Sequence, residues 1–123
     1  MKNAVLDTNF ILSCVKQKID FFEEICFKGM KILIPEEVIN EIKKIAISGK
    51  RLHYRRNAEL ALKVLEKNNF ETIQFRSSNV DKSLIEYSKA NKNAVIATLD
   101  SALKGKIKKP QLVIRKGKRL EII

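Results

Sequence analysis

Short apolar runs alternate with longer segments whose apolar residues recur at helical spacing. The apolar runs predict strands at residues 3–6, 31–34, 72–75, 94–98, 112–115 and 120–123. The periodic segments predict helices at residues 8–16, 19–27, 35–48, 54–68, 80–91 and 100–106. This alternation is typical of βαβ units, and strands that are apolar on both faces favour a sheet covered by helices on each side. We therefore expect an α/β fold, with residues 1–123 forming a single three-layer domain around a mainly parallel, twisted sheet.

The lengths of the apolar runs, the N-terminal residues and the cysteines indicate where the protein acts in the cell. No apolar run approaches the roughly 18–20 residues of a membrane span, so we expect no membrane segment. The N-terminus reaches Asp7 too early for a secretion signal, which favours the cytoplasm. The two cysteines, Cys14 and Cys26, have neither metal-site nor redox spacing. We expect both to be reduced and buried in the core.

Three of the four aspartates stand at ends of predicted elements. Asp7 and Asp100 each end an apolar run, and Asp81 opens a helix, whereas the chain otherwise uses glutamate, with ten Glu against four Asp. Each of the three also stands near a predicted helix start, where Asp is a favoured N-cap, so capping is an alternative for each one alone. Because the carboxyl ends of parallel strands meet at one edge of a sheet, the three are expected to converge there.

Glu41 is a fourth acid that capping does not explain. It lies inside the predicted helix and borders the apolar stripe that includes Val38 and Ile45. We expect its side chain to point toward the sheet edge instead of open water; the alternative is a surface pair with Lys44. Clustered carboxylates repel one another and must take up protons or bind a cation. The four acids therefore predict a divalent-metal site.

The charge distribution suggests the ligand. The formal net charge is +11, and two stretches, residues 42–58 and 104–119, are rich in Lys and Arg and contain no acid. Such a surface favours nucleic acid through phosphate neutralisation, although a solubilising lysine coat is an alternative. The candidate nucleic-acid-binding residues are Lys44, Arg51, Arg55, Arg56, Lys104 and Lys106. The single histidine, His53, lies in the first stretch and fits a surface or RNA-contacting role better than that of a general base.

Four segments, in their order and separations, make the chain resemble the PIN-domain nucleases over nearly its whole length. They are Val5–Asn9, Pro35–Ile42, Val80–Ile85 and Ala97–Leu103. The resemblance implies a sheet sandwiched by helices, dependence on Mg²⁺ or Mn²⁺, and cleavage of single-stranded RNA. It also implies metal coordination and catalysis by Asp7, Glu41, Asp81 and Asp100, with support from Asn9 and Thr98.

Within that family the basic C-terminal segment 113–122 is most similar to archaeal PIN proteins related to the small-subunit rRNA-processing group. The family also includes toxins of toxin–antitoxin pairs. The resemblance therefore implies single-stranded RNA as a partner, and it raises two further expectations, a homodimer and an antitoxin protein.

Several functions remain open at this stage. The leading hypothesis is a Mg²⁺- or Mn²⁺-dependent endoribonuclease that hydrolyses phosphodiesters with four carboxylates. The alternatives are a non-catalytic RNA-binding scaffold in RNA or ribosome processing and a toxin-type ribonuclease inhibited by an antitoxin. A phospho-acceptor signalling domain is disfavoured, because it would require an Asp after the third strand and none occurs between Asp20 and Asp81.

Overall fold

A computed structural model describes residues 1–75 and 77–123 of the chain. They contain six strands and six helices, and every predicted element is present. The strands are β1 (Asn3–Leu6), β2 (Lys31–Pro35), β3 (Glu71–Ile73), β4 (Ala94–Ala97), β5 (Gln111–Arg115) and β6 (Arg119–Ile122). The helices are α1 (Thr8–Lys16), α2 (Phe21–Phe27), α3 (Glu36–Ser48), α4 (Leu52–Glu66), α5 (Val80–Ala90) and α6 (Ser101–Lys104).

The strands form one sheet in the order β3-β2-β1-β4-β5-β6. All neighbouring pairs are parallel except β5 and β6, which are antiparallel. The chain moves outward from β1 to β2 and β3, then returns to the other side of β1 for β4 and β5. The order of the strands therefore reverses beside β1, which is the place where open α/β sheets bind ligands.

Alternate residues of β1 belong to two different hydrophobic cores. Ala4 and Leu6 pack in a larger core with residues of α1 to α4, whereas Val5 packs in a smaller core with Leu84 of α5 and Leu103 of α6. Because successive side chains of a strand point to opposite faces, the two cores lie on the two sides of the sheet. The expectation of a mainly parallel sheet flanked by helices is confirmed.

Some predicted boundaries were wrong, each for a local reason. Helix α2 begins at Phe21 and not at residue 19, because the Asp20 carboxylate caps it by accepting from the Glu23 N–H at 3.1 Å. Pro35 ends β2 with extended backbone instead of opening α3. Strand β3 ends at Ile73, because the N–H of Phe75 turns away to the Glu37 side chain.

The prediction for the cysteines was half right. Cys14 is buried in α1, whereas Cys26 is exposed on α2. Helix α2 buries Phe21, Phe22 and Ile25, so the next position faces solvent. No helix among the described residues is both long and apolar enough to cross a membrane.

Candidate functional site

The four predicted acids reach the same edge of the sheet from four different connections. Asp7 directly follows β1, and Asp100 lies three residues after β4, the parallel neighbour of β1. Glu41 lies in α3, which follows β2, and Asp81 lies in the first turn of α5, which follows β3. The carboxyl ends of these strands lie together, so the topology gathers the acids beside the point where the strand order reverses.

Asp7 is the buried centre of this group. Its side chain is 8% exposed, and each oxygen has a partner: Oδ1 accepts from the Thr8 N–H at 2.8 Å and Oδ2 accepts from the Thr98 hydroxyl at 2.9 Å. Burial raises the pKa of Asp7 above 3.8, the two hydrogen bonds lower it, and Asp81 and Asp100 raise it again. The carboxylate is therefore held in one orientation in a place that disfavours its charge.

Asp100 combines a capping role with a place at the site. Its Oδ1 accepts from the backbone N–H groups of Ala102 and Leu103, at 3.0 and 3.2 Å, so the capping alternative is confirmed here. The Asp100 N–H in turn donates to the Thr98 hydroxyl at 3.2 Å. The side chain is exposed, and among the described residues no donor reaches Oδ2. One carboxylate oxygen is thus structural while the second stays open to a ligand.

Asp81 does not cap its helix, so the capping alternative was wrong for this residue. Asn79 caps α5 instead, accepting from the Lys82 N–H at 3.1 Å. The Asp81 side chain is exposed and raises the pKa of both Asp7 and Glu41. Because Asn79 caps the helix, the Asp81 carboxylate is available to interact with the other acids.

Glu41 departs from expectation in one respect. Its side chain is exposed, so the prediction that it points away from water was wrong; position 41 lies at the margin of the buried stripe of Val38 and Ile42. Partial burial nevertheless raises the pKa of Glu41 above 4.5, and Asp7 raises it further. Lys44 lowers the pKa of Glu41, yet the surface pair considered as the alternative is not formed within 4.0 Å in the described structure. Glu41 therefore shares an electrostatic environment with Asp7.

Thr8 is a polar residue of this site that the sequence analysis missed. Its hydroxyl faces Glu41 and lowers the pKa of that carboxyl, but it makes no hydrogen bond in the described structure even though Oγ1 is buried. The signal was its place directly after Asp7, between two residues that the family motif already marked. A buried hydroxyl without a partner, beside several carboxylates, is a group that a bound cation or its water would satisfy.

The acids are close enough to shift one another's pKa, but within the described residues no three of them form a ready-made set of metal ligands. The donor chemistry nevertheless fits a hard cation, because every candidate ligand is an oxygen. Asp7 is fixed and Asp100 is held through Oδ1, whereas Glu41 and Asp81 are exposed and can change rotamer. These four side chains are the residues that could hold Mg²⁺ or Mn²⁺.

A groove of about 890 Å³ begins at Asp100. It runs between α1, the connection from α3 to α4, and the start of α4. Among the predicted supporting residues, Asn9 is exposed and lines this groove, and it makes no hydrogen bond to the acids in the described structure. Thr98, by contrast, bonds to Asp7 directly.

The predicted nucleic-acid-binding residues divide into two sets. Lys44 and Arg51 line the groove, whereas Arg55 is half-buried, is not among the described lining residues, and has no partner for Nε in the described structure. Arg56, Lys104 and Lys106 are not among its described lining residues. The first basic stretch thus faces the groove in part, and the second lies elsewhere.

Lys16 and Tyr54 line the groove as well and were missed. In α1 the lining residues are Asn9, Leu12, Ser13 and Lys16. Their spacing of three, one and three residues places them on one helix face, opposite the apolar pattern that had been used to predict the helix. Three of these residues, Asn9, Ser13 and Lys16, are polar, and their spacing of four and three residues was the available signal.

Comparison with known proteins places this geometry in a family. The PIN like domain model matches residues 4–117. The chain is 27% identical to Ribonuclease VapC4 of Methanocaldococcus jannaschii over 128 residues, which covers 99% of this chain and 97% of that protein. It is 30% identical over 112 residues to the rRNA-processing protein fcf1 of Schizosaccharomyces pombe, covering 87% of this chain and 54% of that protein.

Solved structures agree with this assignment. The structure of the PIN domain endonuclease Utp24 aligns with a TM-score of 0.78 at 26% identity, covering 98% of this chain and 90% of that chain. A domain of a functionally unknown protein from M. jannaschii aligns with a TM-score of 0.56 at 18% identity and over 85% of this chain and 83% of that one, and shares the fold alone. The resemblance found in the sequence is confirmed: the chain belongs to the PIN-like domain family.

Proposed function

We propose that this protein is an endoribonuclease that hydrolyses phosphodiester bonds of single-stranded RNA at the acid group of Asp7, Glu41, Asp81 and Asp100, with Mg²⁺ or Mn²⁺. One observation carries the proposal. Burial raises the pKa of the Asp7 carboxyl, Asp81 and Asp100 raise it further, and Asp100 lines a groove that also carries Lys and Arg residues. Two similar proteins, a ribonuclease and a PIN domain endonuclease, support the reaction class.

The acid group needs a counter-charge. Asp7, Glu41, Asp81 and Asp100 would hold a divalent cation through carboxylate oxygens. When bound there, such an ion supplies an activated water and compensates the charge that develops on the phosphate. Burial raises the pKa values of Asp7 and Glu41 and the neighbouring acids raise them further; cation binding would offset that second, repulsive contribution.

The chain's own residues contribute orientation and charge. The Thr8 N–H and the Thr98 hydroxyl fix the Asp7 carboxylate before substrate arrives, so that little reorganisation is needed. Lys44 and Arg51 on the rim of the groove are suited to hold the phosphates of the strand next to the acids.

The test is cleavage of a labelled single-stranded RNA with Mn²⁺ or Mg²⁺ by wild-type protein and by Asp7→Asn. We expect Asp7→Asn to lose about a hundredfold or more in rate, and EDTA to abolish cleavage by the wild type. Asp20→Asn is the matched control, because Asp20 caps α2 as Asp7 caps α1 but follows no strand. Equal cleavage by wild type and Asp7→Asn would reveal a contaminating nuclease and overturn the proposal.

A second candidate is a non-catalytic RNA-binding scaffold. It would use the Lys and Arg residues that line the groove and need no metal. Salt-sensitive binding of RNA without cleavage in either metal would support it. The two relatives differ in biological role: one is a VapC ribonuclease and the other is an rRNA-processing protein. A homodimer, an antitoxin partner, a single-domain protein and a cytoplasmic location stay predictions.

A further inference from the structure

The groove beside the acids has a wall that phosphate binding alone does not require. Leu12 of α1, Ile45 of α3 and Leu99 after β4 contribute apolar surface to it. A track for phosphates needs cations and polar donors, whereas an unpaired base needs an apolar and aromatic surface on which to lie. The groove offers both kinds of surface.

Three residues at the start of α4 supply the aromatic and polar part of this wall. His53, Tyr54 and Asn57 all line the groove, and their spacing of three and four residues places them on one face of the helix. Tyr54 is 39% exposed, and in the described structure its ring belongs to none of the aromatic pairs. It therefore presents a ring surface to the groove, with the Asn57 amide nearby to donate and accept hydrogen bonds.

The rim of the groove carries the opposite chemistry. Its cations are Lys16, Lys44, Lys50 and Arg51, and Asp100 is the acid among its described lining residues. None of these cations is in a salt bridge in the described part of the chain. The connection that carries Lys50 and Arg51 leads directly into α4, whose first turn holds no acid and whose start has no side-chain cap. The rim is thus complementary to the backbone of a polyanion.

We propose that this groove is a binding site for the unpaired bases of an RNA strand, with Tyr54 as the surface on which a base stacks and the basic rim holding the flanking phosphates. The inference rests on the proposed function for the identity of the strand. The volume of about 890 Å³ lies within the about 300–1,000 Å³ of pockets that enclose small organic molecules. Bases in a duplex are paired and stacked, so they cannot enter it, and the site would select single strands.

The first experiment measures binding without catalysis. The probe is a fluorescein-labelled single-stranded RNA of about eight nucleotides, followed by fluorescence anisotropy in EDTA at fixed salt. We expect Tyr54→Ala to raise the dissociation constant about tenfold, or about 1.4 kcal/mol, and Tyr54→Phe to keep wild-type affinity. Phe27→Ala is the matched control, since Phe27 is 92% exposed on α2 and is not among the described residues of the groove.

A second probe distinguishes bases from phosphates. It is a strand of the same length in which the bases are replaced by abasic sites. We expect Tyr54→Ala to bind this strand as the wild type does, whereas Lys44→Ala weakens both probes by the same factor. Equal losses for Tyr54→Ala on the two probes would overturn the base-binding site. Unchanged RNA binding in every groove variant would also overturn it and leave the groove to a protein partner.

This outcome is separable from that of the proposed function. Base-dependent binding without cleavage in any metal would overturn the nuclease and leave the binding site standing. Suppose instead that Asp7→Asn loses cleavage, while RNA affinity is the same in Tyr54→Ala and for the abasic strand. That result would overturn the base-binding site alone.

Discussion

The Thr98 hydroxyl joins two acids that lie 93 residues apart in the chain: it donates to Asp7 Oδ2 at 2.9 Å and accepts from the Asp100 N–H at 3.2 Å. Thr98 is 2% exposed, so neither hydrogen bond competes with bulk water. The hydroxyl therefore fixes the distance between the ends of β1 and β4 on which the acid group depends.

Thr98→Val should separate this role from simple packing, because Val keeps the shape and loses the hydroxyl. We expect a loss of about 1–3 kcal/mol in the free energy of unfolding, since the buried Asp7 oxygen loses its donor. Thr98 lowers the pKa of Asp7, so its removal raises that pKa, and the acid side of the pH–activity profile should move to higher pH. Denaturant unfolding and cleavage rates across pH measure the two effects. Thr98→Ser should restore both, and a profile that stays in place would contradict the link.

Glu41 should make the metal-free protein less stable as pH rises. Its folded pKa lies above the 4.5 expected for an unfolded Glu, so its favourable contribution is fully present below that value and is lost as pH rises through the folded pKa. Glu41→Gln removes this dependence. In EDTA the variant should equal the wild type near the unfolded pKa and become the more stable of the two toward neutral pH. Denaturant midpoints at several pH values test this, with Glu59→Gln on the exposed face of α4 as control.

Saturating Mg²⁺ or Mn²⁺ should reverse the order at neutral pH, because a cation that binds only the folded state stabilises it. A wild type that stays the less stable protein in metal would contradict the assignment of Glu41 as a ligand.

The sequence was sufficient for the strands, the helices and the sheet edge to which the acids belong, because apolar periodicity reflects burial and parallel strands share one carboxyl edge. It was insufficient where a side chain chooses between neighbours. Asp81 and Asp100 looked equivalent as caps, yet Asn79 took the capping role from one of them. Which residue caps the helix depends on the conformation of the preceding loop, and the apolar periodicity of the helix does not predict that conformation.

The groove shows a different limit of sequence reasoning. Lys44 and Lys104 look alike in a count of basic residues, and only the first lines the groove, because α3 and α6 pack on opposite sides of the sheet. Tyr54 carried no signal of its own, since one exposed aromatic at a helix start is ordinary. Tyr54 becomes a candidate binding residue only because the fold places α1, about 40 residues earlier in the chain, on the other side of the same groove.

Glu37 should hold the connection that leads to Asp81. Its carboxylate accepts from the Phe75 N–H with both oxygens, at 3.2 and 3.4 Å, and so joins the start of α3 to the end of β3. We expect Glu37→Ala to cost about 1 kcal/mol in the free energy of unfolding and Glu37→Gln to cost less, because Gln keeps an acceptor. Urea unfolding measures this, with Glu36→Ala as the exposed neighbour for control. Equal losses in Glu37→Gln and Glu37→Ala would mean that the charge, and not the acceptor, is what matters.

The two cysteines should differ sharply toward thiol reagents. Burial, with a smaller effect of Glu24, raises the pKa of Cys14 to about 12, so the thiolate is scarce at pH 8 and the sulfur is also inaccessible. Cys26 is exposed. We expect one thiol per chain to react rapidly with a chromogenic disulfide under native conditions and the second only after unfolding. Cys26→Ser should abolish the rapid reaction, and rapid labelling of that variant would contradict the burial of Cys14.

Gly49 should be intolerant of a side chain for reasons of space and not of backbone conformation. Its φ is −59°, which any residue can adopt, but a Cβ would lie 2.6 Å from the Ile45 carbonyl oxygen and 2.9 Å from Arg55 Cγ. The residue forms the turn between α3 and α4, so relief of the clash would move the wall of the groove that carries Arg51. We expect Gly49→Ala to cost about 1–3 kcal/mol in the free energy of unfolding and to weaken RNA binding.

Gly105→Ala is the matched control for this change. Gly105 also follows a helix, and its φ is −68°, but there the nearest atom to an added Cβ, the Ala102 carbonyl oxygen, is at 3.7 Å, an ordinary contact. That variant should be neutral or stabilised by up to about 1 kcal/mol, because Ala restricts the unfolded chain. Thermal unfolding and anisotropy on both variants distinguish the two cases. If Gly49→Ala were as stable as Gly105→Ala, the α3–α4 turn would be able to shift without loss of stability. That result would contradict the close packing at Gly49.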